Sequence, residues 1–149
     1  MLEYLDEEEE TKNTIEVMNG KKFLHTGDIG YIDSKGLVHY KARLKRMIIT
    51  SGYNVYPANI EDIIMNHEAV TSCAVIGVPD SNKGEIVKAF ITLKEGKNAM
   101  IAKVSLQKYL KKHLARYEQP KEIEILDELP KTKLGKIAYK ELEEYSKRA

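Results

Sequence analysis

Residues 71–94 read TSCAVIGVPDSNKGEIVKAFITLK. Thr71 to Val78 is β-prone and nearly all apolar, as in a strand covered on both faces. Pro79 to Gly84 is a loop by composition. Val87, Ala89, Ile91 and Leu93 then alternate with Lys88, Phe90, Thr92 and Lys94, which is strand period. Helical patterns flank the two strands. Pro57 opens one in which Ile60, Ile63, Ile64 and His67 share a stripe. Leu106, Tyr109, Leu110, His113, Leu114 and Tyr117 form another, stopped by Pro120. Lys121 to Leu126 alternates as a short strand, and Ile137 to Ser146 reads as a charged helix. Working upstream, Met47–Thr50 and Tyr53–Tyr56 flank Ser51-Gly52 as a tight hairpin. Ile29–Ile32 and Leu37–Tyr40 flank a polar turn as another, and Thr11 to Met18 reads as a short helix. The pattern predicts an α+β fold, with a two-stranded hairpin and a three-stranded sheet flanked by helices.

The chain has 149 residues, room for one domain and a short appendage. With 42% hydrophobic residues and a net charge of +1, it can build a core and is not disordered by composition. No run approaches the roughly 20 apolar residues of a transmembrane helix. One cysteine, Cys73, and no basic-then-apolar leader predict a reducing, cytoplasmic setting. The near-neutral balance hides a split: residues 1–28 carry a net −5 and residues 29–149 a net +6.

Three loop clusters could carry chemistry. They are His25-Thr26-Gly27-Asp28, Arg43-Leu44-Lys45-Arg46 and Pro130-Lys131-Thr132-Lys133-Leu134-Gly135-Lys136. Glycine lets backbone approach a ligand and lysine brings a mobile positive charge, so either can serve a phosphate. No P-loop pattern is present. Taken singly, each cluster reads more simply as a solvated turn. The four histidines are too scattered for a metal site, so none is predicted. His67 and His113 read as core-edge residues, Cys73 as a buried inert thiol, and Lys83 and Lys88 as surface charge. The tyrosines of 109–117 read as core packing rather than base stacking.

In combination the clusters resemble the C-terminal part of the acyl-adenylate-forming ligases, the family of acyl-CoA synthetases, luciferases and peptide-synthetase adenylation domains. That family shows T-G-D, then G-R-x-(D/K)-D, then S-G-x-x-x-x-P-x-E-I-E, then P-K-T-x-x-G-K-I. Here these read Thr26-Gly27-Asp28, then Ala42-Arg43-Leu44-Lys45-Arg46, then Ser51-Gly52 through Pro57-Ala58-Asn59-Ile60-Glu61, then Pro130 to Ile137. The stretches SGYNVYPANIED, GEIVKAF and DELPKTKLGKI look most like fatty acyl-CoA ligases.

The resemblance implies a division: residues 1–44 as the tail of a large N-terminal adenylation domain, residues 45–149 as the small C-terminal lid. It implies an ATP-dependent, AMP-forming carboxylic acid–CoA ligase. The acid is a fatty acid, and Mg2+ accompanies ATP in the complete enzyme. This chain alone is expected to hold no cofactor and to be inactive without the N-terminal domain. Lys136 resembles the lysine that stabilises charge on the α-phosphate during adenylation. Asp28 resembles the carboxylate that binds the ribose hydroxyls, and Arg43 the arginine near ribose and phosphate. Lys45 resembles the hinge on which the lid swings, and Gly52 the glycine lining the pantetheine tunnel of coenzyme A. Four positions depart from the family pattern. Ala42 replaces a Gly, Arg46 an acid and Asn59 a Glu, and Tyr139 stands where an arginine often follows. These bear on ion pairing at the hinge and on the thioester-forming conformation.

Two other classes compete. One is a stand-alone interaction module or subunit with the lid fold; separately, a homodimer through exposed apolar lid surface is expected where the larger domain is missing. The other is a nucleic-acid binder, suggested only by the basic segment. No nucleic-acid partner is expected.

Overall fold

A computed structural model describes residues 3–148. The chain divides into two compact units, Met1–Lys45 and Arg46–Ala149.

The first unit begins with helix α1 (Glu8–Thr14), followed by strands β1 (Ile15–Met18) and β2 (Lys21–Leu24). The expected helix over 11–18 is therefore half right. It starts earlier, inside the acidic run, and gives way to a hairpin at Ile15. The reason is local: β-branched Ile15 and Val17 precede Asn19-Gly20, both with left-handed φ (52° and 75°), the two-residue turn that matches strand twist. Strands β3 (Asp28–Ile32) and β4 (Val38–Arg43) form the expected second hairpin. Its turn is tied by the Asp33 carboxylate, which accepts from the Lys35 and Leu37 amides at 2.8 and 3.0 Å. Among the described residues of this unit only Ala42 is buried. A single 3₁₀ turn, Leu44–Arg46, spans the unit boundary.

The second unit runs β5 (Ile48–Thr50), β6 (Tyr53–Val55), α2 (Pro57–Met65), β7 (Val70–Asp80), β8 (Gly84–Leu93), α3 (Ala99–His113), β9 (Glu122–Ile125) and α4 (Tyr139–Arg148). β7 and β8 pair antiparallel along almost their whole length, and β9 lies parallel to β8 at Lys88–Ile91. These are the three expected strands. The β5–β6 hairpin is not separate from them, however. Thr50 pairs with Gly84, so β5 shares one edge of β8 with β9 and the sheet has five strands. Sequence periodicity cannot show such a junction, because one residue pair creates it.

Strand period sorts side chains to two faces. Cys73, Val75, Val87, Ala89 and Ile91 pack with Ile60 and Ile64 of α2 and Leu106 and Leu110 of α3. Ala74, Ile76 and Phe90 pack with Leu129 and with Leu142 of α4. Both faces of β7 are thus covered, as its apolar run requires.

Three side-chain readings need correction. Lys88 is not surface charge: its side chain is 6% exposed, with Nζ 3.0 Å from Glu124 and 3.3 Å from Glu122. Burial pulls its pKa down, but the two carboxylates outweigh burial and hold it above the usual lysine value. Tyr117 is not on the α3 stripe. The helix ends at His113, because Leu114 is already extended, and Ala115 to Glu118 form a turn. His113 is exposed, whereas His67 is buried as expected.

Candidate functional site

In the first unit, the hairpin register sets Asp28 directly opposite Arg43. Arg43 Nε lies 3.8 Å from Asp28 Oδ1, with side chains 59% and 42% exposed. Such an open pair contributes about 0–1 kcal/mol, so neither group is committed to holding the fold. The preceding turn is fixed by one side-chain and one backbone acceptor: Thr26 Oγ1 accepts from the Asp28 amide at 3.2 Å, and Gly27 O accepts from the Leu44 amide at 2.7 Å. Two chemically opposite, solvent-accessible groups are thereby presented side by side. Lys45 follows in the 3₁₀ turn, exposed and without an ion-pair partner among the described residues.

In the second unit Lys136 sits on a small hairpin of its own. Lys131 bridges Ile137, the Thr132 amide donates to Lys136 O at 2.7 Å, and the Lys136 amide donates to Thr132 Oγ1 at 3.2 Å. Lys131 is engaged by Glu128 at 2.8 Å, which holds that carboxyl below the usual range. The Lys136 ammonium is exposed and has no partner among the described residues. Its backbone is therefore fixed while its charge is available.

Gly52 lies in the β5–β6 turn with φ 81°, following Ser51 at φ 51°. A side chain at Gly52 would meet no atom within 4 Å, so the positive φ, not crowding inside this chain, is what favours glycine. The Ser51 amide donates to Lys83 O at 2.8 Å, joining this turn to the β7–β8 loop. A groove opens beside it, lined by Tyr53, Tyr117, Lys83, Arg116 and Lys121. The two tyrosine rings stack at 4.5 Å and 10°. Three cations beside an aromatic platform suit a ligand with phosphates and a planar ring. None of these residues was marked by the sequence.

Asp28 and Arg43 are therefore brought together. Gly52 and Lys136 lie on different hairpins, with no hydrogen bond or ion pair between them among the described residues. Cys73 is buried, and burial, with the Glu61 and Asp62 carboxylates behind it, pushes its thiol up to about 12. It is an inert thiol, as its strand context predicted. Among the described residues no group of three or more His, Cys, Asp or Glu could hold a metal ion.

Two of the four departures from the family pattern, Arg46 and Tyr139, meet. Arg46 Nη2 donates to Glu61 Oε1 at 2.6 Å, and its guanidinium lies 3.7 Å from the centroid of the Tyr139 ring.

Residues 59–136 match the profile of the family described as AMP-binding enzyme C-terminal domain. A long-chain-fatty-acid–CoA ligase of Bacillus subtilis is 44% identical over 120 residues, covering 80% of this chain and 21% of that protein. A 2-succinylbenzoate–CoA ligase of Bacillus cereus is 34% identical over 139 residues, covering 93% of this chain and 27% of that protein. The crystal structure of ATP-bound MatB from Rhodopseudomonas palustris superposes with a TM-score of 0.85 at 34% identity, over 97% of this chain and 28% of that one. The chain thus spans roughly a fifth to a quarter of the length of such relatives.

Proposed function

The chain belongs to the AMP-binding enzyme C-terminal domain family, and from that premise we propose that residues 45–149 are the moving lid of an AMP-forming acid–CoA ligase. Residues 1–44 are the last piece of its larger adenylating domain. The observation that carries this reading is that one small unit presents two separate cationic surfaces, the Lys136 hairpin and the groove beside Gly52. A two-step ligase needs two.

In the first step a carboxylate oxygen attacks the α-phosphorus of ATP, and the bond to pyrophosphate breaks, giving acyl-AMP. Lys136 stabilises the charge that builds on the α-phosphate oxygens. Asp28 accepts hydrogen bonds from the ribose hydroxyls, and Arg43 lies against ribose and phosphate. Backbone rotation at Lys45 then swings the lid. In the second step the coenzyme A thiol attacks the acyl carbon and AMP leaves. Gly52 leaves room for the pantetheine arm, and Lys83, Arg116 and Lys121 hold the phosphates of its nucleotide against the tyrosine pair. Mg2+ accompanies the triphosphate in the complete enzyme. The acid is a long-chain fatty acid, in keeping with the relatives' names, and the setting is cytoplasmic. Among the described residues no helix is long and apolar enough to cross a membrane.

The test is carboxylate-dependent ATP–pyrophosphate exchange in the complete enzyme. Lys136→Ala should lower it about 10²–10³-fold, the usual cost of losing one oriented charge donor. Equal exchange by variant and parent would remove Lys136 from the chemistry.

A further inference from the structure

Arg46 and Tyr139, two of the departures from the family pattern, are 93 positions apart in the chain and touch. Both also reach the same oxygen. Glu61 Oε1 accepts from Arg46 Nη2 at 2.6 Å, from the Val75 amide at 2.9 Å and from the Tyr139 hydroxyl at 3.2 Å. Arg46 spends a further hydrogen bond on Val75 O at 3.3 Å. The pair is largely shielded, with side chains 29% and 15% exposed. Burial first, and then the Glu61 carboxylate, push the Tyr139 phenol up to about 12, so it remains a donor. Arginine suits this place because its planar guanidinium can stack on a ring and donate at its edge at once, which an ammonium cannot.

The chain positions of the partners give the cluster its meaning. Arg46 is the first residue after Lys45, where the second unit starts. Tyr139 directly follows Ala138, whose amide closes the foot of the Lys136 hairpin by donating to Pro130 O at 2.8 Å. Glu61 projects from α2 onto β7, between the two.

We propose that Arg46, Glu61 and Tyr139 form a positioning cluster that couples the hinge to the lysine loop. It clamps the first residue beyond Lys45 to the sheet, so backbone rotation stops there, and through the same carboxylate it fixes the foot of the Lys136 hairpin. The roles of Lys45 and Lys136 are taken from the reading above. The coupling is tested by backbone protection rather than by activity, so either can fail alone.

The experiment is amide hydrogen exchange on this chain. The reporters are the Thr132 amide, bonded to Lys136 O, and the Ala138 amide, neither of which bonds residue 46. Arg46→Met should speed exchange at both at least tenfold while amides of the β7–β8 pair keep their rates. Glu61→Gln should do the same. Tyr139→Phe loses the hydroxyl's bond to Glu61 but keeps the ring under the guanidinium, so it should speed exchange at both reporters less than Tyr139→Leu, which loses both contacts. If Arg46→Met does not fold, Arg46→Lys gives the same reading, since it keeps the charge and loses the double contact. Unchanged exchange at Thr132 and Ala138 overturns the proposal. So does a rise matched by the β7–β8 amides, because the cluster would then only stabilise the fold.

Discussion

Lys83 and Arg116 flank the stacked Tyr53–Tyr117 pair and make no ion pair among the described residues. In the complete enzyme, Lys83→Ala or Arg116→Ala should raise the KM for coenzyme A about tenfold, a loss of roughly 1.4 kcal/mol of binding. Pyrophosphate exchange, which needs no thiol, should not move. Steady-state kinetics with varied coenzyme A checks this, and an unchanged KM would place the thiol's nucleotide elsewhere. At this scale the sequence nominates candidates where a motif names its own residue. Asp28, Arg43 and Lys136 could be marked because short-range order surrounds each of them. The groove could not, because its residues come from three separate segments that only the fold brings together. Lys88 was misread for the same reason. Its alternation with apolar neighbours puts it on one face of β8, but nothing local announces Glu122 and Glu124 across the sheet.

The elements show the same division between local and distant causes. α2 was readable from Pro57 and its isoleucine stripe, and β7 from its unbroken apolar run. The β1–β2 hairpin had its signal in Asn19-Gly20, which the acidic helix pattern masked. α4 depends least on its own sequence, since Leu142 is its one buried described residue. Much of its hold on the sheet is polar: the Tyr145 hydroxyl donates to Glu124 at 2.8 Å, with the ring edge-on to Phe90. Burial works against the ionised Glu124, but Tyr145 and Lys88 outweigh it and keep its pKa below the usual 4.5. A group depressed in this way stabilises the fold fully above its unfolded value, and that contribution is lost as pH falls through the folded one. Below about pH 4.5 α4 should therefore loosen before β7–β8 does. Hydrogen exchange across an acid series checks the order, and Tyr145→Phe should weaken the dependence. Simultaneous loss of α4 and the sheet would refute it.

For the molecule as a whole, the contrast lies between a second unit with two packed cores and a first unit with almost none. Phe23, Tyr31, Ile32, Val38 and Tyr40 of the first unit are all exposed, and two-stranded hairpins are marginal without a cover. This chain by itself should therefore self-associate, and light scattering over a concentration series should show a dimer. A monomer at every concentration would refute that expectation. The five-stranded sheet raises a different question, because β7 is its outermost strand on one side and is eleven residues long. A long apolar edge invites another chain to add a strand. Midway along it, the Val75 amide and carbonyl are taken by Glu61 and Arg46. Two side chains there stand in for a missing neighbour, so the contact beside Lys45 also works as a guard against strand-by-strand stacking into fibres.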